Sequence, residues 1–147
     1  LLPGTNWATK KWPVDHFAAL ASLLRNRHGI ASIVAGGPDT PAVAGTQSLV
    51  GQTTLKQLVA LLERADVVIA NDTGPMHIAA ALGRPLVSVF GPTNPVRTGP
   101  YQRADTVIRL NIACSPCYQR RCAHQSCMQW LRPEDVDSRV AAAIGMV

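Results

Sequence analysis

A polar cluster separates two strongly apolar runs in the middle of the sequence. Asn71-Asp72-Thr73-Gly74 follows the run 67–70 and precedes a segment of helical character that contains His77. An acid, a hydroxyl and a glycine at the start of a helix suit a phosphate site, because the first amides of a helix have no internal partners and its dipole is positive there. The alternative is a plain helix start with Asp72 as the N-cap and nothing bound, and with His77 as a packed histidine that hydrogen-bonds to a carbonyl.

Two further polar loops follow apolar segments. Residues 4–13 (GTNWATKKWP) contain Thr5, Lys10 and two tryptophans, and residues 91–95 (GPTNP) contain Thr93. Lysines there would neutralise phosphate charge, and an indole would cover a base or a sugar. Because ligands of open α/β sheets lie outside the carboxyl ends of the strands, the three loops together predict one site for a phosphorylated ligand.

The elements that must position these loops alternate between strand and helix. Short apolar runs typical of buried parallel strands occur at the start of the chain and at 30–39, 65–72, 85–91 and 106–112. Helical patterns occur at 13–28, 55–64 (capped by Thr54), 74–84 and 133–144, whereas 40–54 has no clear periodicity. This alternation predicts an α/β fold, a Rossmann-like parallel sheet of five or six strands with helices on both faces.

Length and composition indicate a single soluble domain, residues 1–147. No apolar run approaches the roughly 20 residues that span a bilayer, and the chain starts without Met, so we expect it to be a piece of a longer protein. The net charge of +5 suits a phosphorylated ligand, an anionic membrane surface or nucleic acid. Nucleic acid is the least favoured of these, because few aromatic residues accompany the arginines of 97–121.

Four cysteines near the end of the chain leave three alternatives open. Cys114, Cys117, Cys122 and Cys127 have the spacing C-x2-C-x4-C-x4-C, with His124 between them. The opening C-x2-C suits a zinc site, but the remaining spacings are not those of a standard finger or ribbon. Disulfides in the purified protein and free thiols remain the other two interpretations.

Several of these motifs together resemble one family. The stretch NDTGPMHIAAALGRPLVSVFGPT, with KKWP ahead of the first helix, resembles the ADP-heptose:lipopolysaccharide heptosyltransferases (glycosyltransferase family 9). The elements D-[ST]-G-x-x-H, FGPT and K-x-W-P carry the resemblance, and the cysteine segment is similar to one found in many members. The resemblance covers essentially the whole chain and implies the C-terminal, donor-binding half of a two-domain GT-B fold.

The resemblance implies that this half binds ADP-heptose without a metal or cofactor. Asp72, Thr73, Gly74 and His77 would surround the diphosphate and heptose, and Lys10 would meet the phosphates. Thr5 and Thr93, with Gly91, would be further contacts. One departure concerns the ribose: where some members have an acidic residue after the Thr/Ser-Leu of the preceding helix, this chain has Lys56.

The resemblance also implies what this chain lacks. The general base of the inverting, metal-independent reaction would be an aspartate of the N-terminal domain, so the isolated chain would bind donor without transferring sugar. That domain would also bind the lipid A-Kdo type acceptor, at the cytoplasmic face of the inner membrane, and no nucleic acid would be involved. The alternatives are another glycosyltransferase or epimerase that uses a sugar nucleotide and, less favoured, a non-enzymatic nucleotide- or nucleic-acid-binding module.

Overall fold

Parallel strands alternate with helices along the chain. The structure is a computed structural model and describes residues 1–145. The strands are β1 (Ile33–Gly36), β2 (Gln47–Val50), β3 (Val68–Asn71), β4 (Leu86–Val89) and β5 (Val107–Ile108). The helices are α1 (Val14–His28), α2 (Leu55–Glu63), α3 (Gly74–Ala81), α4 (Pro95–Thr98), α5 (Ser126–Gln129) and α6 (Pro133–Ala143), and two 3-10 turns span Ala8–Lys10 and Ala104–Thr106.

The first two residues join two parallel sheets into one layer. β1 pairs with β2, and β3, β4 and β5 pair in that order, all in parallel. Leu2 forms a parallel bridge with Ala70 of β3, while the amino group of Leu1 donates to the Ile33 carbonyl at 2.7 Å. The resulting order is β2, β1, residues 1–2, β3, β4, β5, so the loop after residue 2 leaves from the centre of the sheet.

Alternating side chains of β3 point into two separate hydrophobic clusters. Ile69 lies in the cluster that contains Phe17 of α1 and Val140 of α6. Ala70 lies in the cluster that contains Leu62 of α2 and Met76 of α3. Because successive side chains of a strand point to opposite faces, α1 and α6 cover one face and α2 and α3 cover the other. The predicted α/β sheet with helices on both faces is confirmed.

Local signals fixed several helix ends as the sequence predicted. α1 ends at Gly29, whose φ of 69° is a left-handed conformation that favours glycine. α2 begins with a capping box in which the Thr54 hydroxyl accepts from the Gln57 amide and the Gln57 side chain accepts from the Thr54 amide. No helix among residues 1–145 has the length and apolar character needed to cross a membrane.

The edges of the sheet differ from the prediction. The segment 40–54, for which no element was predicted, contains β2, an edge strand whose four residues are all at least partly exposed. The strand predicted at 106–112 is reduced to Val107–Ile108. Where the sequence predicts a first strand at the start of the chain, the structure has one residue, Leu2, which forms a parallel β-bridge with Ala70.

Candidate functional site

Three loops meet at the Asp72 carboxylate, at the carboxyl edge of the sheet. Asp72 follows β3 directly, Lys10 ends the first 3-10 turn, and Thr93 lies just beyond β4. The Lys10 Nζ atom is 2.7 Å from Asp72 Oδ2, and the Thr93 hydroxyl donates to the same oxygen at 2.7 Å. One buried carboxylate therefore holds together the loops that the sequence analysis grouped into one site.

Two more hydroxyls converge on the same residue. The Thr98 hydroxyl lies 3.5 Å from Asp72 Oδ2, and the Thr5 hydroxyl donates to the Asp72 carbonyl at 3.3 Å. Thr73 is the N-cap residue of α3, but the helix start has no side-chain cap hydrogen bond. The alternative in which Asp72 is the N-cap is therefore wrong for this structure, and no side chain of residues 1–145 occupies the amides of Gly74, Met76 and His77, the kind of amides that bind an anion at a helix start.

Asn71 anchors the first loop to the sheet, and the sequence analysis did not select it for that role. Its fully buried side chain accepts from the Trp12 amide at 3.2 Å and donates to the Pro3 carbonyl at 2.8 Å. The Trp12 indole in turn donates to the Leu131 carbonyl at 2.9 Å. The two Asn71 bonds fix the loop that contains Lys10 at both of its ends, Pro3 and Trp12.

The Lys10–Asp72 pair is largely withdrawn from water. The Lys10 side chain is 15% exposed and that of Asp72 is 6% exposed. The Lys10 ammonium also lies 4.6 Å from the centre of the Trp7 ring, a cation–π arrangement. The pair carries no net charge, so further positive charge for an anionic ligand must come from other groups around the cavity.

A cavity of about 480 Å³ lies beside this pair. Six of the seven predicted site residues line it: Thr5, Lys10, Asp72, Thr73, Gly74 and His77. The seventh, Thr93, is 1% exposed and does not line the cavity. Its hydroxyl donates to the Asp72 carboxylate and so helps to position it. Trp7, Arg97 and Thr98 also line the cavity and were not predicted as site residues. The signal available for Arg97 was a cation two residues after the loop 91–95.

A second groove adjoins the first. It has a volume of about 450 Å³, shares Thr5, Asn6 and Thr73 with the first cavity, and extends past Lys11 to the glycine turn after β1. Lys56 is exposed in the first turn of α2 and lines neither cavity. The two grooves are neighbours at the carboxyl edge of the sheet and have three lining residues in common; together they are called the trough.

Gly91 does not line the cavity beside Asp72. It is buried, and a Cβ atom at this position would lie 2.5 Å from Met128 Sδ and 3.0 Å from Cys127 Sγ. Its role is to let the chain after β4 pass closely over the cysteine segment. Gly91 as a ligand contact therefore stays a prediction, whereas its packing on Met128 and Cys127 is observed.

The four cysteines surround a small cavity of their own, about 120 Å³ in volume. No disulfide links them in the structure, and residues 1–145 contain no group of three or more His, Cys, Asp or Glu side chains arranged to hold a metal ion. Burial, reinforced by the nearby Cys117, Cys114 and Cys122, raises the pKa of Cys127 above its usual value. The zinc, disulfide and free-thiol interpretations therefore all stay predictions.

Comparison with known proteins gives consistent results. A family model described as glycosyltransferase family 9 (heptosyltransferase) matches residues 1–128. The chain is 32% identical to lipooligosaccharide heptosyltransferase 2 of Campylobacter jejuni, over 92% of this chain and 47% of that protein. It therefore spans about half the length of that curated relative.

Solved structures show the same fold. ADP-heptose lps heptosyltransferase II of E. coli matches with a TM-score of 0.80 and 30% identity, over 99% of this chain and 45% of that one. E. coli heptosyltransferase WaaC, solved with ADP-2-deoxy-2-fluoro heptose, matches with a TM-score of 0.72 and 25% identity, over 96% of this chain and 41% of that one. Because the family model matches residues 1–128, most of this chain, the chain belongs to glycosyltransferase family 9, the heptosyltransferase family.

Proposed function

We propose that this chain is the donor-binding half of an inverting heptosyltransferase that uses ADP-heptose in the synthesis of the lipopolysaccharide inner core. Family membership and the relative solved with an ADP-heptose analogue support the proposal. The observation that carries it is the buried Lys10–Asp72 pair beside the uncapped start of α3, at the wall of a 480 Å³ cavity.

In this proposal, the parts of a nucleotide sugar would lie along the trough in a definite order. The diphosphate would lie at the α3 amino terminus, where Gly74 offers its backbone and Lys10 its ammonium. The heptose would lie near His77, which is exposed in the first turn of α3. The adenosine would occupy the adjoining groove next to Lys11 and the glycine turn after β1.

In the proposed reaction, these groups stabilise the leaving diphosphate. Negative charge grows on the phosphate oxygens as the bond to the sugar carbon breaks, so a fixed cation and fixed amides bind the transition state more strongly than the substrate. Asp72 holds the Lys10 ammonium in place before the donor arrives. The scheme uses no metal ion or cofactor, and the base that deprotonates the acceptor hydroxyl would lie outside these 147 residues.

The acceptor and the cellular location belong to the same proposal. A lipid-linked acceptor of the lipid A-Kdo type would bind the other half of the enzyme, on the cytoplasmic face of the inner membrane. The net charge of +5 is compatible with contact to anionic lipid.

A transfer assay tests the proposed activity. The two-domain enzyme should transfer heptose from ADP-heptose to a lipid acceptor, and its Asp72→Asn variant should be slower. The 147-residue chain alone should show no turnover while still binding ADP-heptose. Turnover by the chain alone would contradict the assignment of the base to the other half.

Arg97 is expected to supply the cation that the neutral Lys10–Asp72 pair does not. It is exposed and lines the cavity. We expect Arg97→Gln to weaken ADP binding about two- to fivefold, as for an exposed ion pair, and to reduce the salt dependence of binding. Calorimetry should show an unchanged affinity for adenosine, which has no phosphate. The matched control is Arg64→Gln, at the exposed end of α2, and an equal loss of ADP affinity in that variant would contradict a specific role.

Gly74 is expected to be required for ligand approach and not for folding. A Cβ atom there would have no protein atom within 4 Å and would enter open space at the cavity wall. Alanine favours a helix more than glycine does, but a Cβ before Pro75 disfavours helical backbone, so the free energy of unfolding should change by no more than about 1 kcal/mol. Gly74→Ala should nevertheless weaken ADP binding about tenfold. Unchanged affinity, measured by calorimetry, would move the diphosphate away from the α3 start.

A further inference from the structure

The cysteine segment, residues 114–127, forms hydrogen bonds with two loops, the one that contains Lys10 and the one that contains Thr93. Both of these residues contact the Asp72 carboxylate. The Thr9 hydroxyl, next to Lys10, donates to the Gln119 carbonyl at 2.7 Å. On the other loop, the amides of Cys117 and Tyr118 both donate to the Pro92 carbonyl, at 3.0 and 2.8 Å. This segment therefore bridges the Lys10 loop and the Thr93 loop from outside the cavity.

One side chain of the segment, Arg120, contacts the Trp7 ring, and the same ring contacts the Lys10 ammonium. The Arg120 guanidinium lies 4.6 Å from the centre of the Trp7 ring, the same distance as the Lys10 ammonium. Arg120 is itself exposed, and it is not among the residues that line the 480 Å³ cavity. Trp7, half-buried at the cavity wall, is thus held by a cation of the cysteine segment while it contacts the cation of the site.

We infer that Arg120 is a positioning residue of the donor site: through the Trp7 ring it fixes the Lys10 ammonium on Asp72. A guanidinium stacks well on an indole and keeps its charge in water, so Arg120 can restrict the ring without entering the cavity. Without it, the ring and the lysine gain alternative rotamers, and the ion pair opens more often. The inference rests on the proposed function for its catalytic meaning, but the ion pair itself can be tested without a ligand.

The test measures how readily Lys10 is acetylated by a limiting amount of acetic anhydride. Mass spectrometry of fragment ions separates Lys10 from its neighbour Lys11, which is exposed and serves as the internal reference. We expect Arg120→Ala to raise the Lys10-to-Lys11 ratio about two- to fivefold, the range of one exposed cation–π contact. Arg120→Lys, which keeps the charge but not the planar group that stacks on the indole, should give a ratio between those of Arg120→Ala and the original chain. Arg121→Ala, a neighbouring exposed arginine, should leave the ratio unchanged.

The route through the ring is tested by a double variant. Trp7→Leu should raise the ratio by itself, and Arg120→Ala should add nothing in that background. An unchanged ratio in Arg120→Ala, or a further rise in the double variant, would overturn the inference. The thermal midpoint should be the same in Arg120→Ala as in the original chain, which separates positioning from a loss of stability.

ADP binding links this result to function. Arg120→Ala should weaken ADP binding about two- to fivefold, in step with the acetylation ratio. If the original chain does not bind ADP, the proposed function fails while the acetylation experiment still decides whether Arg120 positions Lys10. If ADP binds and Arg120→Ala binds it equally well, the positioning role fails and the donor site stands.

Discussion

Lys10→Met is expected to lower the free energy of unfolding by about 3 kcal/mol and to weaken ADP binding about 10- to 100-fold. The loss of stability arises because Asp72, 6% exposed, would keep its charge without the ammonium 2.7 Å away. The loss of affinity arises because the diphosphate loses a charge-assisted hydrogen bond. Chemical denaturation and calorimetry measure the two effects on the same sample.

The double variant Lys10→Met/Asp72→Asn separates these two effects. It removes both charges of the pair while an amide oxygen can still accept from the Thr93 hydroxyl. Stability should return to within about 1 kcal/mol of the original chain, whereas ADP binding should stay weak. Recovery of binding in the double variant would show that Lys10 acts only by supporting the fold. Lys56→Met, an exposed lysine that lines neither cavity, is the matched control.

Asn71→Leu is expected to destabilise the chain by about 2–6 kcal/mol. Leucine has a similar volume, but it leaves the Trp12 amide and the Pro3 carbonyl without their partner, and each unsatisfied group costs about 1–3 kcal/mol when buried. Because these bonds fix both ends of the Lys10 loop, ADP affinity should fall as well.

The matched control for this variant is Asn26→Leu, at an exposed position of α1. Its free energy of unfolding should stay within about 0.5 kcal/mol of the original value. A similar small effect of Asn71→Leu in chemical denaturation would contradict the role of Asn71 as the anchor of the loop.

The central part of the sheet was predictable because its physical signals are local. β3 and β4 are buried along their whole length and are mostly apolar, with Asn71 and Ser88 as the polar exceptions, as expected of strands covered on both faces. Thr54 begins α2 and Gly29 ends α1 through chemistry within a few residues. β2 was missed because an edge strand that is partly exposed has no continuous apolar run. Its place depends on pairing with β1, which the sequence of 40–54 does not encode locally.

The gathering of the site loops was predictable, but their bonds were not. Parallel strands bring their carboxyl ends to one edge, so the loops with Lys10, Asp72 and Thr93 were expected to meet. Two of these bonds, the Lys10–Asp72 ion pair and the Thr93–Asp72 hydrogen bond, join residues that lie far apart in the sequence. They depend on tertiary distances, which no local pattern shows. The same holds for Arg97 at the cavity wall and for Gly91, which packs on the cysteine segment.

Calorimetric titration of the chain with ADP-heptose, ADP and UDP tests whether the Asp72 cavity binds a nucleotide sugar. Both adenine compounds should bind with a stoichiometry of one and stabilise the chain against heat, while UDP should bind much more weakly. A ligand at about 100 times its dissociation constant should add about 2.7 kcal/mol of stability. Lys10→Met/Asp72→Asn, folded but without the ammonium, should lose most of this response. Binding of ADP that is equally tight in the double variant would show that the nucleotide sugar does not bind at the Asp72 cavity.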